Sequence, residues 1–367
     1  MITVLHVITD LKTAGAQTVV MNYLRYLHND RDVSIKVAVI GKPLGTAFEE
    51  EVKREGYEVY FCNYIPFRII PIINQIANWF KYQFLVYKEI RKISPDIVHT
   101  HGTALLPFTL IPVIMSNTRR AVHTLHSDPY TFGKMTVLWA KAAFNIFKIY
   151  PICVTEDQAA KAVSRYGIRD YRIIKNGINE HRFENLPLKN DVRRSLGIDE
   201  NLFVIGCVGR LNPVKNHKFL IDIFYIFLQK KPNSLLLIVG EGEEKQRLKD
   251  QIKQYGIEKS VLFLGVRSDV ECLYRAMNVF VLASHFESSS IATVEAQFAG
   301  TRCVISDSIP QNVVVTPFVN RLSLNAPQSL WLEAIEGVLP CDKQFGVLAD
   351  FSMQKTARDL KSLYLNL

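Results

Sequence analysis

Short apolar runs rich in Val, Ile and Leu alternate along this chain with longer stretches whose apolar residues recur every third or fourth position. Runs of the first kind predict strands buried on both faces, and stretches of the second kind predict the helices that cover them. Strands are expected at Ile2–Ile8, Val33–Ile40, Glu58–Cys62, Ile97–His101, Arg120–Leu125, Ile149–Thr155 and Arg172–Ile174. Among them the periodicity predicts helices at Val19–Leu27, Phe48–Glu55 and Ile73–Ile93, the last with an aromatic face. A polar segment, Asn179–Glu200, reads as a hinge, and then the alternation starts again. Its second round predicts strands at Phe203–Val208, Ser234–Val239, Val261–Leu264, Val279–Ala283 and Cys303–Ile305, and helices at His217–Gln229, Glu243–Tyr255, Val270–Ala276 and Ile291–Ala299. An amphipathic helix, Asp350–Leu365, ends the chain. The expected fold class is α/β, two Rossmann-like domains in series, each a parallel sheet between helices.

A chain of 367 residues suits two cores better than one. The expected domains are residues 1–178, residues 179–349 and a C-terminal helical segment, 350–367, packing back on the first. Hydrophobic residues at 48% and charged residues at 22% exclude disordered and fibrous classes. The six cysteines are scattered, with no CxxC pair, so buried reduced thiols in a reducing cytoplasm are expected. Neither a leader peptide nor an apolar run long enough to span a membrane is read at any point. Ligands of such sheets bind beyond the carboxyl ends of the strands, so chemistry is expected in the loops that follow them.

Two segments carry that chemistry. Gly209-Arg210-Leu211-Asn212-Pro213-Val214-Lys215-Asn216-His217 lies between a predicted strand and a predicted helix. Its glycine permits a tight turn, and Arg210 and Lys215 can neutralise a diphosphate near a helix start, although a merely solvated basic loop would read the same. The second segment, His285 to Glu295, sets Glu287 and Glu295 eight positions apart across an expected helix start near Ser289. Free N–H groups there suit an anion and the two carboxylates suit hydroxyl groups. Glutamates at that spacing are also commonly just solvated.

Together these residues carry a resemblance that covers the chain from Met1 to about Leu322. Glu287 and Glu295 look like the E-x7-E motif of retaining glycosyltransferases of family 4, and Gly209-Arg210-Leu211 with Lys215 resembles their phosphate loop. Asn176-Gly177-Ile178, Val239-Gly240-Glu241-Gly242 and Phe263-Leu264-Gly265 are similar to three further turns of that family. The resemblance implies a GT-B fold, two Rossmann-like domains facing each other across a cleft, with no metal and no cofactor. It further implies a nucleoside-diphosphate sugar as donor, with UDP-sugar the expected kind. Arg210 and Lys215 would stabilise the leaving diphosphate, Glu287 would hold donor-sugar hydroxyls, and Glu295 the ribose. Asn176, Gly209, Gly240, Phe263, Leu264, Ser289, Ser290 and Ile291 would complete the donor site. Gly15 stands in the matching first loop, and His126 is the histidine expected to touch the donor. Structural histidines are the competing reading for His99, His101 and His126. Where relatives usually carry glycine at the place of Ser288 and often glycine or proline at that of Ser290, this chain has Ser288-Ser289-Ser290, which either offers additional hydroxyls to a diphosphate or marks a drifted site.

Charge adds a partner. Between Phe61 and Ile178 there are 15 Lys and Arg against 6 Asp and Glu, so the whole net charge of +9 resides there. The stretch Tyr64–Lys92 also carries Phe67, Trp79, Phe80, Tyr82, Phe84 and Tyr87. It reads either as a helix with a solvated basic side or as a patch for anionic lipid headgroups at the inner face of the cell membrane. No nucleic-acid motif accompanies it, so nucleic acid is not an expected partner. The resulting expectation is transfer of a sugar to a glycan or lipid-linked acceptor in surface polysaccharide assembly. The alternatives are a non-catalytic nucleotide-sugar-binding subunit and a sugar-nucleotide epimerase.

Overall fold

The computed structural model describes residues 1–12, 15–64, 71–116, 118–337 and 349–367. Thr13, Ala14, Phe67 and Cys341 lie outside the described residues. Two units divide the chain: Met1–Gly177 together with Asp350–Leu367, and Ile178–Ala349.

In chain order the first unit holds β1 (Ile2–Ile8), α1 (Gly15–Leu27), β2 (Val33–Val39), α2 (Ala47–Glu55), β3 (Val59–Phe61), α3 (Pro71–Ile93) and β4 (Ile97–His101). It continues with α4 (Leu106–Met115), β5 (Arg120–Thr124), α5 (Lys134–Lys141), β6 (Tyr150–Cys153), α6 (Glu156–Tyr166) and β7 (Arg172–Ile173). Its seven strands lie in the order β3-β2-β1-β4-β5-β6-β7, every pair parallel. The run of Val and Ile in β1 follows from that place, because a central parallel strand is covered on both faces and Val4, Leu5 and Val7 are completely buried.

The second unit holds α7 (Lys189–Ser195), β8 (Phe203–Val208), α8 (His217–Lys230), β9 (Ser234–Val239), α9 (Lys245–Tyr255), β10 (Val261–Gly265) and α10 (Val270–Ala276). After these come β11 (Val279–Leu282), α11 (Ile291–Phe298), β12 (Arg302–Ser306), β13 (Val319–Leu322) and α12 (Gln328–Glu336). Its sheet runs β10-β9-β8-β11-β12-β13, again all parallel. Strand order reverses between β8 and β11, so the loops following those two strands open the crevice where such sheets bind ligands.

The last helix, α13 (Met353–Asn366), returns to the first unit. Met353, Leu360, Leu363 and Tyr364 are buried, and Lys361 reaches Asp30 at 2.8 Å and Asp32 at 2.7 Å. The Asp-x-Asp spacing of Asp30 and Asp32 is thereby used to anchor a helix. Gly177 has a packing reason of its own: a Cβ there would lie 2.7 Å from the Met353 Cα.

The polar segment Asn179–Glu200 is more built than a hinge, since it carries the helical turn Glu180–Phe183 and α7. Its buried Arg193 donates to the carbonyls of Ala276, Glu200 and Leu202 and to Asn278 Oδ1. A satisfied buried guanidinium looks polar in sequence while acting as core. The aromatic face expected on the long third helix is divided, with Tyr82 buried and Phe80 and Phe84 outside. Cys62, Cys153, Cys207 and Cys303 are buried free thiols, and Cys272 is half-buried. No helix among the described residues is long and apolar enough to cross a membrane.

Candidate functional site

At the crevice of the second unit three loops are laced together through their backbones. Gly209 N donates to Val239 O at 3.0 Å, Leu211 N to Glu241 O at 2.9 Å, and Gly240 N to Gly265 O at 2.8 Å. The approach is so close that a Cβ on Gly240 would lie 2.0 Å from Gly209 O, and one on Gly242 2.2 Å from Leu211 O. Gly240 also sits at φ +138, a region closed to side chains.

Asn212 Oδ1 accepts from Lys215 N at 3.1 Å and fixes the turn Pro213–Lys215, after which Asn216 takes a left-handed conformation and α8 begins. That turn folds Lys215 back across Gly209. Its ammonium meets Glu287 Oε1 at 2.5 Å, and both side chains are mostly buried. Ser284 Oγ, at the end of β11, donates to the same oxygen at 2.8 Å. The His285 amide donates to Val214 O at 2.8 Å, so the loops after β8 and β11 are joined twice. Arg210, expected beside Lys215, is instead exposed and turned to Glu243 at 3.1 Å. An exposed pair of that kind contributes little and is cheaply exchanged for another anion.

The helix starts at Ile291, where the periodicity predicts it, two residues beyond Ser289. Buried Ser290 spends its hydroxyl on Thr293 Oγ1 at 2.8 Å, and the Ile291 amide already donates to Ser289 O at 3.1 Å. The additional hydroxyl expected from Ser290, and the free amide expected at Ile291, are therefore engaged within the protein. Glu295, on the helix, accepts from Tyr274 Oη at 3.0 Å. Burial pushes its carboxyl up to about 7, against the pull of the Arg182 charge and the Tyr274 hydrogen bond. The folded carboxyl thus keeps its proton to about pH 7 whereas an unfolded one releases it near 4.5, so stability falls as pH rises through that window. Glu295→Gln is expected to raise stability at pH 8 by roughly 2 kcal/mol and to leave it unchanged at pH 4. Denaturant unfolding at the two pH values checks this, and equal changes at both would refute it.

Phe263 packs on the core of the second unit with the Lys249 ammonium 6.0 Å from its ring centroid, while Leu264 stands where the pairing of edge strand β10 with β9 is irregular, between Phe263 and Gly265. Asn176 and Gly15 belong to the first unit, Asn176 buried beside Gly177 and Gly15 at the start of α1. Ser284 and Tyr274, which hold the two glutamates, escape the sequence motifs. Ser284 stands only three positions before Glu287, but Tyr274 reaches Glu295 from another helix with no local signal.

His126 lies beyond the end of β5 in the first unit, in a series of stacked imidazoles with His101, His99 and His6. His126 Nε2 is 3.0 Å from His101 Nδ1, and His101 Nε2 is 2.8 Å from His6 Nδ1. His6, His99 and His101 form the one grouping among the described residues that could hold a metal ion, but all six of their ring nitrogens are paired by hydrogen bonds within the series, to Tyr364 or to Thr124. Burial lowers His6 to about 3 and His126 to about 4, so both are neutral at physiological pH.

Residues 13–182 match the family described as Glycosyltransferase Family 4, and residues 189–344 match Glycosyl transferases group 1. The chain is 26% identical over 343 residues to a Bacillus subtilis (strain 168) protein named as a glycosyltransferase, EpsF, covering 90% of this chain and 86% of that one. It is also 26% identical over 304 residues to the Escherichia coli UDP-Gal:alpha-D-GlcNAc-diphosphoundecaprenol alpha-1,3-galactosyltransferase, covering 77% and 78% of the two chains. Among solved structures, Anabaena Alr3699/HepE in complex with UDP-glucose superposes with a TM-score of 0.81 at 20% identity over the full length of both chains. The two family matches together run along most of the chain and its two parallel-sheet units are of GT-B type, so it is a GT-B glycosyltransferase similar to family 4, and a hexosyltransferase.

Proposed function

We propose that this enzyme transfers a hexose, with retention at the anomeric carbon and without a metal, from a UDP-sugar to a lipid-linked saccharide during surface polysaccharide assembly. The observation that carries this reading is the Lys215–Glu287 ion pair where the strand order of the second unit reverses. An arriving diphosphate draws Lys215 to itself, and Arg210 leaves Glu243 to join it. Glu287, released from the ammonium, then accepts hydrogen bonds from the sugar hydroxyls, and Glu295 accepts them from the ribose. The bond from the anomeric carbon to the diphosphate breaks, the acceptor oxygen bonds on the same face, and its proton leaves with the phosphate. Catalysis of this kind is electrostatic stabilisation of the departing charge. On the family resemblance, Gly15 and His126 of the first unit, with Asn176, serve the same substrates. The named activities of the relatives support a donor and acceptor of these classes.

A membrane-borne acceptor agrees with the outer face of the first unit. Ile76, Phe80 and Phe84 recur every fourth residue along α3 and are 57%, 62% and 63% exposed, with Lys88 next in the row. Helix α4, which packs on α3 through the Trp79 bond to Pro107 O at 2.9 Å, adds exposed Ile114 and Met115. Apolar side chains beside lysines suit insertion among anionic headgroups at the cytoplasmic face.

One reconstitution tests the whole reading: anionic liposomes bearing a lipid-diphosphate-linked sugar, mixed with the protein and UDP- or GDP-sugars in EDTA. The protein is expected to sediment with the liposomes and to extend the acceptor from a UDP-sugar. Nucleotide binding without transfer would make it a binding subunit, conversion of the donor without acceptor would make it an epimerase, and transfer that needs restored metal would end the metal-free reading.

A further inference from the structure

The histidines of the first unit and the last helix form one unbroken chain of hydrogen bonds. Its atoms run from Thr124 Oγ1 to His99 Nε2 at 2.7 Å, and from His99 Nδ1 to Tyr364 Oη at 2.6 Å. From there the path leads to His6 Nε2 at 3.1 Å, from His6 Nδ1 to His101 Nε2 at 2.8 Å, and from His101 Nδ1 to His126 Nε2 at 3.0 Å. Strand β1 supplies His6, β4 supplies His99 and His101, and α13 supplies Tyr364, whose position in the sequence is 358 residues from that of His6.

A neutral imidazole has one nitrogen that donates and one that accepts. Along the chain each bond therefore dictates the next, and only two proton arrangements satisfy every member. In one, all four histidines carry the proton on Nε2: His126 donates to His101, His101 to His6, His6 to the Tyr364 oxygen, Tyr364 to His99, and His99 to Thr124. In the other every arrow is reversed and all four carry it on Nδ1. Burial lowers His99 and His101 far below the ordinary histidine range, as it does their neighbours, so an additional proton does not break the rule at neutral pH. The two distances at Tyr364 choose between them. O–H donors make shorter bonds than N–H donors, and the contact to His99 is the short one.

We propose that Tyr364 is a positioning residue: by donating to His99 and accepting from His6 it holds His126, at the far end of the chain, in the Nε2–H tautomer. In that tautomer the Nδ1 of His126 can accept a hydrogen bond but not donate one. The consequence for transfer rests on the assignment of His126 to the donor, whereas the tautomer chain stands on the bonds above.

Long-range nitrogen–proton spectra of the full-length protein labelled with 15N-histidine, resolved by single histidine substitutions, read every tautomer directly. In the unsubstituted protein at pH 7 all four histidines are expected as Nε2–H, and a mixture of tautomers among them would overturn the proposal without any variant having to fold. Tyr364→Phe keeps the ring but leaves a His6 Nε2–H without an acceptor, and an orphaned buried donor is costly. His6, His101 and His126 are expected to switch to Nδ1–H in that variant. A His126 signal unchanged by Tyr364→Phe would reduce Tyr364 to a packing residue and refute the coupling. Turnover by His126→Ala is measured separately: an unchanged rate would remove His126 from the donor site, a failure distinct from that of the proton chain.

Discussion

Lys215→Ala should lower transfer by about a hundred- to a thousandfold at saturating donor, the usual loss when one well-aimed stabilising group is removed, on the order of 3 to 4 kcal/mol. The reason lies in its burial. The Lys215 ammonium, held by Glu287 at 2.5 Å, is already stripped of most water, so moving from that carboxylate to a diphosphate costs it little further desolvation. Its removal also leaves Glu287 with only the Ser284 hydroxyl on the oxygen it shared. Arg210→Ala provides the contrast, because its guanidinium is exposed and pairs with Glu243 on the surface. A loss of tenfold or less is expected there. Steady-state kinetics of both variants with UDP-sugar and acceptor decide the matter, and equal losses would mean that the buried pair has no special part in stabilising the leaving group.

Gly240→Ala should be the most damaging single-methyl change in the second unit, costing more than about 4 kcal/mol. Two independent causes add. The new Cβ would stand 2.0 Å from Gly209 O, a backbone atom that cannot swing aside, and the residue would sit at φ +138. Gly256→Ala is the control. Gly256 also has a positive φ, +66, where it ends α9, but nothing lies within 4 Å of its Cβ position, so about 1 kcal/mol is expected. Denaturant midpoints of the two variants separate crowding from backbone strain. Midpoints lowered equally would show that the loops after β8 and β9 can part.

Much of this molecule is legible in its sequence because parallel strands announce themselves. Phe203–Val208 and Ser234–Val239 are strands to the residue, since both are buried apolar runs bounded by polar turns. Helix α6 has a readable signature that periodicity misses: Thr155 caps its start by accepting from Gln158 N, and Gly167 ends it in the left-handed conformation. Helix α4 is hidden for the opposite reason, being apolar almost all round, with Pro107 and Pro112 inside. In the site, Arg210, Lys215, Glu287 and Glu295 are each legible, but who pairs with whom is not. Lys215 finds Glu287 only because β8 and β11 are neighbours in the sheet, and Arg210 meets Glu243 because the loop after β9 crosses the one after β8. Sequence separation hides such partners. Ser290 differs, because the Thr293 hydroxyl that engages it lies only three positions on, in the helix it precedes.

The last helix also has a consequence for how the molecule is made. Residues 350–367 complete the unit that residues 1–177 begin, and the whole of 178–349 intervenes. During synthesis from the N-terminus, the second unit has all of its residues before the first-made unit receives Lys361 for Asp30 or Tyr364 for His6 and His99. The unit begun first is therefore finished last, because the hydroxyl that closes its buried histidine row is added only after the whole of 178–349.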